Sequence, residues 1–271
     1  MRAQVSYDVR FEWGPAGAAA LAPSSSCLVV VDVLSFSTSV TVAVEAGTRV
    51  YPCAWPDGSA AESARSHQAE LAAGRRAVSA ARPWSLSPAA LRRAPFVPRL
   101  VLPSPNGSAI CAAAGAGIGG GADAATDGGA DAAEGTGAGA ATVIAGCLRN
   151  AAAVGRFLRG APGAVTVIAA GERWPDGSLR PALEDLLGAG AILAALWGPG
   201  SGAFSPEAEA ARGCFEATAD VAAAVSGCAS GRELIEGGFG DDVPFRWRST
   251  RAGWCRSWPT GPSPLPSASR S

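Results

Sequence analysis

The run Val29-Val30-Val31 ends on Asp32 and is followed by Ser35, Ser37 and Thr38. An acid inside "VVVDVL" is costly unless it is paired, protonated or bound to a metal. Other apolar runs end in a similar way. Ser104, Asn106, Gly107 and Ser108 follow Arg99–Leu102, Arg149 and Asn150 follow "VIAGC", and Glu172, Arg173 and Asp176 follow "VTVIAA". In open parallel sheets, ligands bind beyond the carboxyl ends of the strands, where loops lead into helices. Helix starts and glycine turns present free N–H groups to anions, hydroxyls and amides add donors, and carboxylates hold Mg²⁺. The mixture therefore predicts a site for a phosphorylated ligand with a metal.

Each group also has a structural alternative. Ser37 and Thr38 fit as N-caps, Asn106-Gly107 as a tight turn, and Asn150 as the cap of its own helix. Glu184 and Asp185 in "SLRPALEDLLGAGAIL" suit the first turn of a helix, with Arg180 an i, i+4 partner of Glu184. Asp32 is the hardest to explain without chemistry.

These residues need elements to position them. Val5, Tyr7, Val9 and Phe11 alternate with polar residues, which predicts a half-buried edge strand at the N-terminus, expected antiparallel. Strand-then-helix units follow: Cys27–Leu34 with Ser37–Glu45, Arg49–Ala54 with Gly58–Ala73, and Arg99–Leu102 with a helix opened by Ser108. "ATVIAGC" with "LRNAAAVGRFLRG", then "AVTVIAA" with a helix from about Leu179 to Leu196, complete the series, and further helices occupy Pro206–Glu236. Alternating short strands and helices predict a largely parallel sheet covered on both faces, an α/β fold. Residues 1–245 read as one α/β domain. Ala112–Ala141, almost all Gly and Ala, cannot bury enough area to offset its ordering and reads as a flexible insertion. Residues 246–271 read as a divergent, partly disordered tail.

Composition removes several functions. All 22 basic residues of the 271 are Arg, and the formal net charge is −1. No clustered basic surface points to nucleic acid or to anionic membrane. No apolar run approaches the roughly 20 residues of a membrane span, and "MRAQVSYDVRFEWG" has no signal-peptide core, so a cytoplasmic protein is expected. The seven cysteines lack metal or redox spacing and read as small core residues. Without Lys there is no P-loop. "DVL" lacks the second Asp of haloacid dehalogenase-type phosphatases. His67, in the polar "ARSHQAE", reads as a solvated helix residue rather than a catalytic base.

Five stretches, "VVVDVLSFSTSVTVAVEAG", "LPSPNGSAIC", "VIAGCLRNAAAVGRFL", "IAAGERWPDGSLRPALEDLLGAGAIL" and "SGRELIEGGFGDDV", stand in the order in which the 2-phosphosulfolactate phosphatase (ComB) family has them. The sequence resembles that family from about Leu28 to Val243. The resemblance implies a three-layer α/β/α fold and a Mg²⁺-dependent hydrolase of coenzyme M biosynthesis, releasing phosphate from 2-phospho-3-sulfolactate. It adds weight to Glu172, Arg173, Glu184 and Asp185. Many members carry Arg where this chain has Ser35, so a clamp for phosphate or sulfonate is expected to be altered.

The expected reaction is therefore phosphomonoester hydrolysis, with Asp32, Glu172 and Arg173 in catalysis and Mg²⁺ on Asp32, Glu184 and Asp185. Ser37, Thr38, Asn106, Gly107, Ser108, Arg149, Asn150 and Arg180 are expected to bind a small phosphorylated acid. The alternative is an inactive or re-specialised relative that binds a different small phosphorylated acid. A homodimer is the expected assembly on general frequency alone.

Overall fold

The computed structural model describes residues 4–54, 59–117, 141–244 and 257–258. Strand β1 (Val9–Trp13) leads through α1 (Gly14–Leu21) to β2 (Cys27–Val31) and α2 (Phe36–Glu45). Next come β3 (Arg49–Ala54), α3 (Ser59–Ser66), β4 (Glu70–Leu71), α4 (Pro88–Arg93), β5 (Arg99–Ser104) and α5 (Gly107–Gly117). They are followed by β6 (Thr142–Gly146), α6 (Ala151–Leu158) and β7 (Val165–Ala169). A small hairpin of β8 (Glu172–Arg173) and β9 (Leu179–Arg180) precedes α7 (Leu183–Leu196). Helices α8 (Pro206–Ala217), α9 (Val221–Gly227) and α10 (Ala229–Glu236) come next, and β10 (Ser257–Trp258) is the last described element.

The main sheet has the order β1-β7-β2-β6-β10. Its first four strands are parallel and β10 pairs antiparallel with β6 at the edge. Every residue of β2 and β7 is buried, as expected of strands covered on both faces. Val29, Val31, Val167 and Ala169 pack with Leu187, Ile192 and Val154 of α7 and α6. Leu28, Val30 and Ile168 pack on the other face with Phe36 and Ile110 of α2 and α5. This is the three-layer α/β/α arrangement with a largely parallel sheet.

Three expectations are corrected. The N-terminal strand is at the sheet edge but runs parallel to β7, while the antiparallel edge strand is β10. The reason lies in "GPAGAAAL", which forms α1 and carries the chain back across the sheet; a helical crossover joins parallel strands. Second, the strands do not share one sheet: β3, β5 and β4 form a separate parallel sheet. Its Val50, Leu100 and Leu102 pack with Phe36, Val40 and Ile110, so helices α2 and α5 contact both sheets. Apolar runs specify burial and not the neighbour they pair with. Third, the helix expected from Leu179 starts at Leu183, because Pro181 disfavours helix in the residue before it and Leu179–Arg180 pair with Glu172–Arg173.

The helix expected over Gly58–Ala73 is likewise shorter, ending at Ser66 before β4. Helix α5 continues to Gly117, into the stretch expected as an insertion. The rest of that stretch, 118–140, lies outside the described residues, as does the tail apart from Ser257–Trp258.

Candidate active site

Strands β2 and β7 are neighbours, and the helices that follow them leave towards opposite faces. Such divergence opens a crevice beyond the strand ends. The loops after β2 and β7 and the start of α7 deliver acids into it, and the loop after β5 brings Asn106 and Gly107.

Asp32 is the first. It is 6% exposed, and its Oδ1 accepts the Phe36 N–H at 3.0 Å. Its Oδ2 accepts the Gly107 N–H at 2.9 Å, with the Ser104 hydroxyl at 3.5 Å. One carboxylate thus caps the starts of α2 and α5 together, a role the sequence had suggested for Ser37 and Thr38. Gly107 is required here: a Cβ on it would stand 2.7 Å from Asp32 Cβ and 2.8 Å from Phe36 Cδ1.

Asp185 makes the complementary link. Its Oδ1 accepts the Val33 N–H at 2.7 Å and its Oδ2 the Gly171 N–H at 2.8 Å, tying the loop after β2 to the loop after β7. Gly188 lets α7 approach closely enough, since a Cβ there would lie 2.6 Å from Val33 Cγ2. Glu184 is buried one position earlier, and its Oε2 accepts from the Cys228 thiol at 3.2 Å. Glu172 completes the group; its Oε2 accepts from Asn106 Nδ2 at 2.8 Å.

The four carboxylates feel one another. Burial raises the pKa of Asp32, and Glu184 adds to the rise, against the Gly107 and Phe36 N–H groups and the Arg75 guanidinium. Burial, then Glu184 and Asp32, push Asp185 well above the usual carboxylate range. Glu172 is raised to about 7 by burial, then by Asp32 and Glu184, with the Asn106 hydrogen bond and Arg180 opposing. A carboxyl group that holds its proton near neutrality can act as an acid or base.

Beside this cluster lies a cavity of about 660 Å³ lined by Leu34, Arg75, Glu172, Ser230, Glu233 and Phe239, among others. Arg75 was not singled out from the sequence. It belongs to the 3-10 turn Arg75–Ala77, and its Nε donates to Asp242 Oδ2 at 3.1 Å. Asp242 is fixed in turn by the Ser87 hydroxyl at 2.5 Å and the Ala89 N–H at 3.1 Å, both on Oδ1.

Asp32, Asn106, Gly107, Glu172, Glu184 and Asp185 are thus brought together. The hydroxyls of Ser37, Thr38 and Ser108 instead donate to the carbonyls of Val30, Val33 and Cys53 and hold loop backbone. Asn150 does not cap its helix with its side chain; it accepts from the Cys147 N–H and donates to Thr41 and Ala145. Arg149 makes a two-pronged pair with Glu45 at the far end of α2. Arg180 pairs with Glu233 rather than with Glu184. Arg173 is exposed on the hairpin and donates to the Gly177 carbonyl, and Asp176 shapes the same turn through Ser178.

All the described cysteines but the half-buried Cys214 are buried; Cys255 lies outside the described residues. Among the described residues no group of three or more His, Cys, Asp or Glu side chains is placed as a metal cage. The charge of Asp32, Glu184 and Asp185 suits a cation. Mg²⁺ is commonly held by one or two carboxylates with substrate phosphate oxygens and water, which needs no three-acid cage. Among the described residues no helix is long and apolar enough to cross a membrane.

The family model described as 2-phosphosulpholactate phosphatase matches residues 124–251, bearing out the resemblance read from the sequence motifs. The matched range contains Glu172, Glu184, Asp185 and Asp242, whereas Asp32, Arg75 and Asn106 come from the chain before it. No curated protein matches the chain.

Proposed function

We propose that this protein hydrolyses a small phosphorylated acid, with 2-phospho-3-sulfolactate, giving 3-sulfolactate and phosphate, as the first substrate to test. The observation that carries the reading is the gathering of buried Asp32, Glu184 and Asp185 with half-buried Glu172 in one interacting group beyond the strand ends, beside a cavity of about 660 Å³. The match to a phosphatase family supports it.

The residues divide the work. Asp32 and Asp185, each bonded on both oxygens by backbone N–H groups, position the loops and helix starts. Glu172 is the proton carrier: Asn106 orients it, and its pKa of about 7 lets it take or give a proton near neutral pH. Glu184 and the remaining lone pairs of Asp32 would hold Mg²⁺. That ion, when bound, supplies positive charge to the phosphoryl oxygens. Burial of Asp32, Glu184 and Asp185 lowers the effective dielectric around them, which strengthens their interactions.

The test is phosphate release from 2-phosphosulfolactate and a panel of small phosphomonoesters, with and without Mg²⁺. Turnover that requires the ion is the expected result. Absent turnover across the panel, or turnover indifferent to Mg²⁺, refutes this reading.

A second reading, of a re-specialised or inactive relative, is favoured by Ser35. Its hydroxyl is buried and has no hydrogen-bond partner among the described residues, at the position where the resemblance leads one to expect Arg. Binding of phosphorylated acids without product after long incubation would support it. Turnover abolished by Asp32→Asn would end it.

A further inference from the structure

Arg75 has a feature that its ion pair with Asp242 does not explain. The side chain is 17% exposed and its Nε is committed to Asp242. Its Nη2 is buried and has no hydrogen-bond partner among the described residues. A buried charged donor left unpaired is expensive, since guanidinium hydrogen bonds are among the stronger ones in proteins. Fixing the group adds to that cost. Asp242 is itself clasped by Ser87 and Ala89, so Arg75 is held from behind on a carboxylate that is 1% exposed. The chain of contacts orients the guanidinium and leaves part of its fork unused.

Arg75 also lines the cavity, together with Arg76 and Glu172, and its charge reaches Asp32. Of the other guanidinium groups expected at the site, Arg180 is on Glu233, Arg149 is on Glu45, and Arg173 is exposed on the hairpin. The acid cluster alone would repel an anionic ligand. An anion entering beside it needs a fixed cation, and Arg75 has a donor to spare.

We propose that Arg75, oriented by Asp242, is the anion-recognising residue of this cavity and takes an oxyanion of the ligand, carboxylate or phosphoryl, on its guanidinium. The inference rests on the cavity being the ligand site of the proposed hydrolase, but it concerns binding and does not need turnover. It narrows the ligand class to small acids whose anionic group can reach the guanidinium while a second group lies beside Glu172.

The experiment is calorimetric titration of the full chain with 2-phosphoglycolate and with inorganic phosphate, each with Mg²⁺ present and absent, alongside thermal unfolding. A hydrogen bond to a charged group contributes about 1.5–3 kcal/mol, so Arg75→Gln is expected to weaken 2-phosphoglycolate roughly 10- to 100-fold. Arg75→Lys keeps the charge near Asp242 but loses the planar fork, and should fall between the two. It also guards against a fold defect in Arg75→Gln. Asp242→Asn should weaken binding while leaving Arg75 in place, and Arg156→Gln, an exposed residue of α6, should leave it unchanged.

Binding that is equal in wild type, Arg75→Gln and Arg75→Lys overturns the proposal and leaves the hydrolase reading untouched. A wild type that binds neither anion overturns the proposal as well. Arg75-dependent binding without hydrolysis of any phosphomonoester upholds it and refutes the hydrolase instead.

Discussion

Replacing Glu172 with Gln isolates the electrostatic claim on which the site depends. Gln keeps an oxygen to accept from Asn106 Nδ2 but cannot ionise. Glu172 in the folded protein titrates at about 7, against an ordinary value of 4.5, because of burial and then of Asp32 and Glu184. The folded state therefore holds this proton more tightly than the unfolded chain does. The stability linked to that proton is fully present below pH 4.5 and is lost as pH rises through about 7. One pKa unit is worth about 1.4 kcal/mol, so the full loss is roughly 3 kcal/mol. Urea unfolding of wild type and Glu172→Gln, in metal-free buffer from pH 5 to 8, reads it directly. The variant should gain on wild type by about 2–3 kcal/mol across that range, nearly all of it by pH 8. A difference that stays flat with pH, or slopes the other way, would refute the interacting four-acid cluster. In hydrolysis assays the same variant should lose the limb of the pH–rate profile that falls near 7.

Gly107→Ala should cost about 1–3 kcal/mol by thermal unfolding, because its Cβ would collide with Asp32 and Phe36, and should depress phosphate release. Asp185→Ala strands the Val33 and Gly171 N–H groups; relief of the buried charge offsets part of the loss, leaving about 2 kcal/mol by chemical denaturation together with lost turnover. Arg149→Met breaks the pair with Glu45 and should lower stability by about 3 kcal/mol while KM for the hydrolysed ester stays at the wild-type value. A rise in KM for that variant would return Arg149 to the binding site.

Asp32 was legible in the sequence because a carboxylate in an apolar run has few bland explanations, and its place at the carboxyl end of a strand followed from the alternation of short strands and helices. Glu172, Glu184 and Asp185 were legible as residues and not as contacts. Nothing in "LEDLLGAG" says that Asp185 reaches Val33 while its neighbour Glu184 turns to Cys228. The arginines were misjudged for a physical reason. Arg149 and Arg180 stand at strand ends, but a long side chain goes to the nearest acid that packing supplies, here Glu45 and Glu233. Arg75 lies in a stretch with no periodicity, in a chain whose every basic residue is Arg, and only a buried Nη2 with no hydrogen-bond partner among the described residues marks it out. The split into two sheets was equally hidden, because β3 and β5 read as well for one sheet as for the other.

The clasp between Val33 and Asp185 joins residues 152 positions apart, and that between Ser87 and Asp242 residues 155 apart. Closing loops of that size has an entropic cost that only the finished structure offsets. On a ribosome, the loop after the second strand must wait for most of the polypeptide before its shape is set. The pocket is therefore among the last parts of the molecule to mature, and a nascent or truncated chain ending before residue 185 would carry the strand-end acid without the partner that sets the loop beside it.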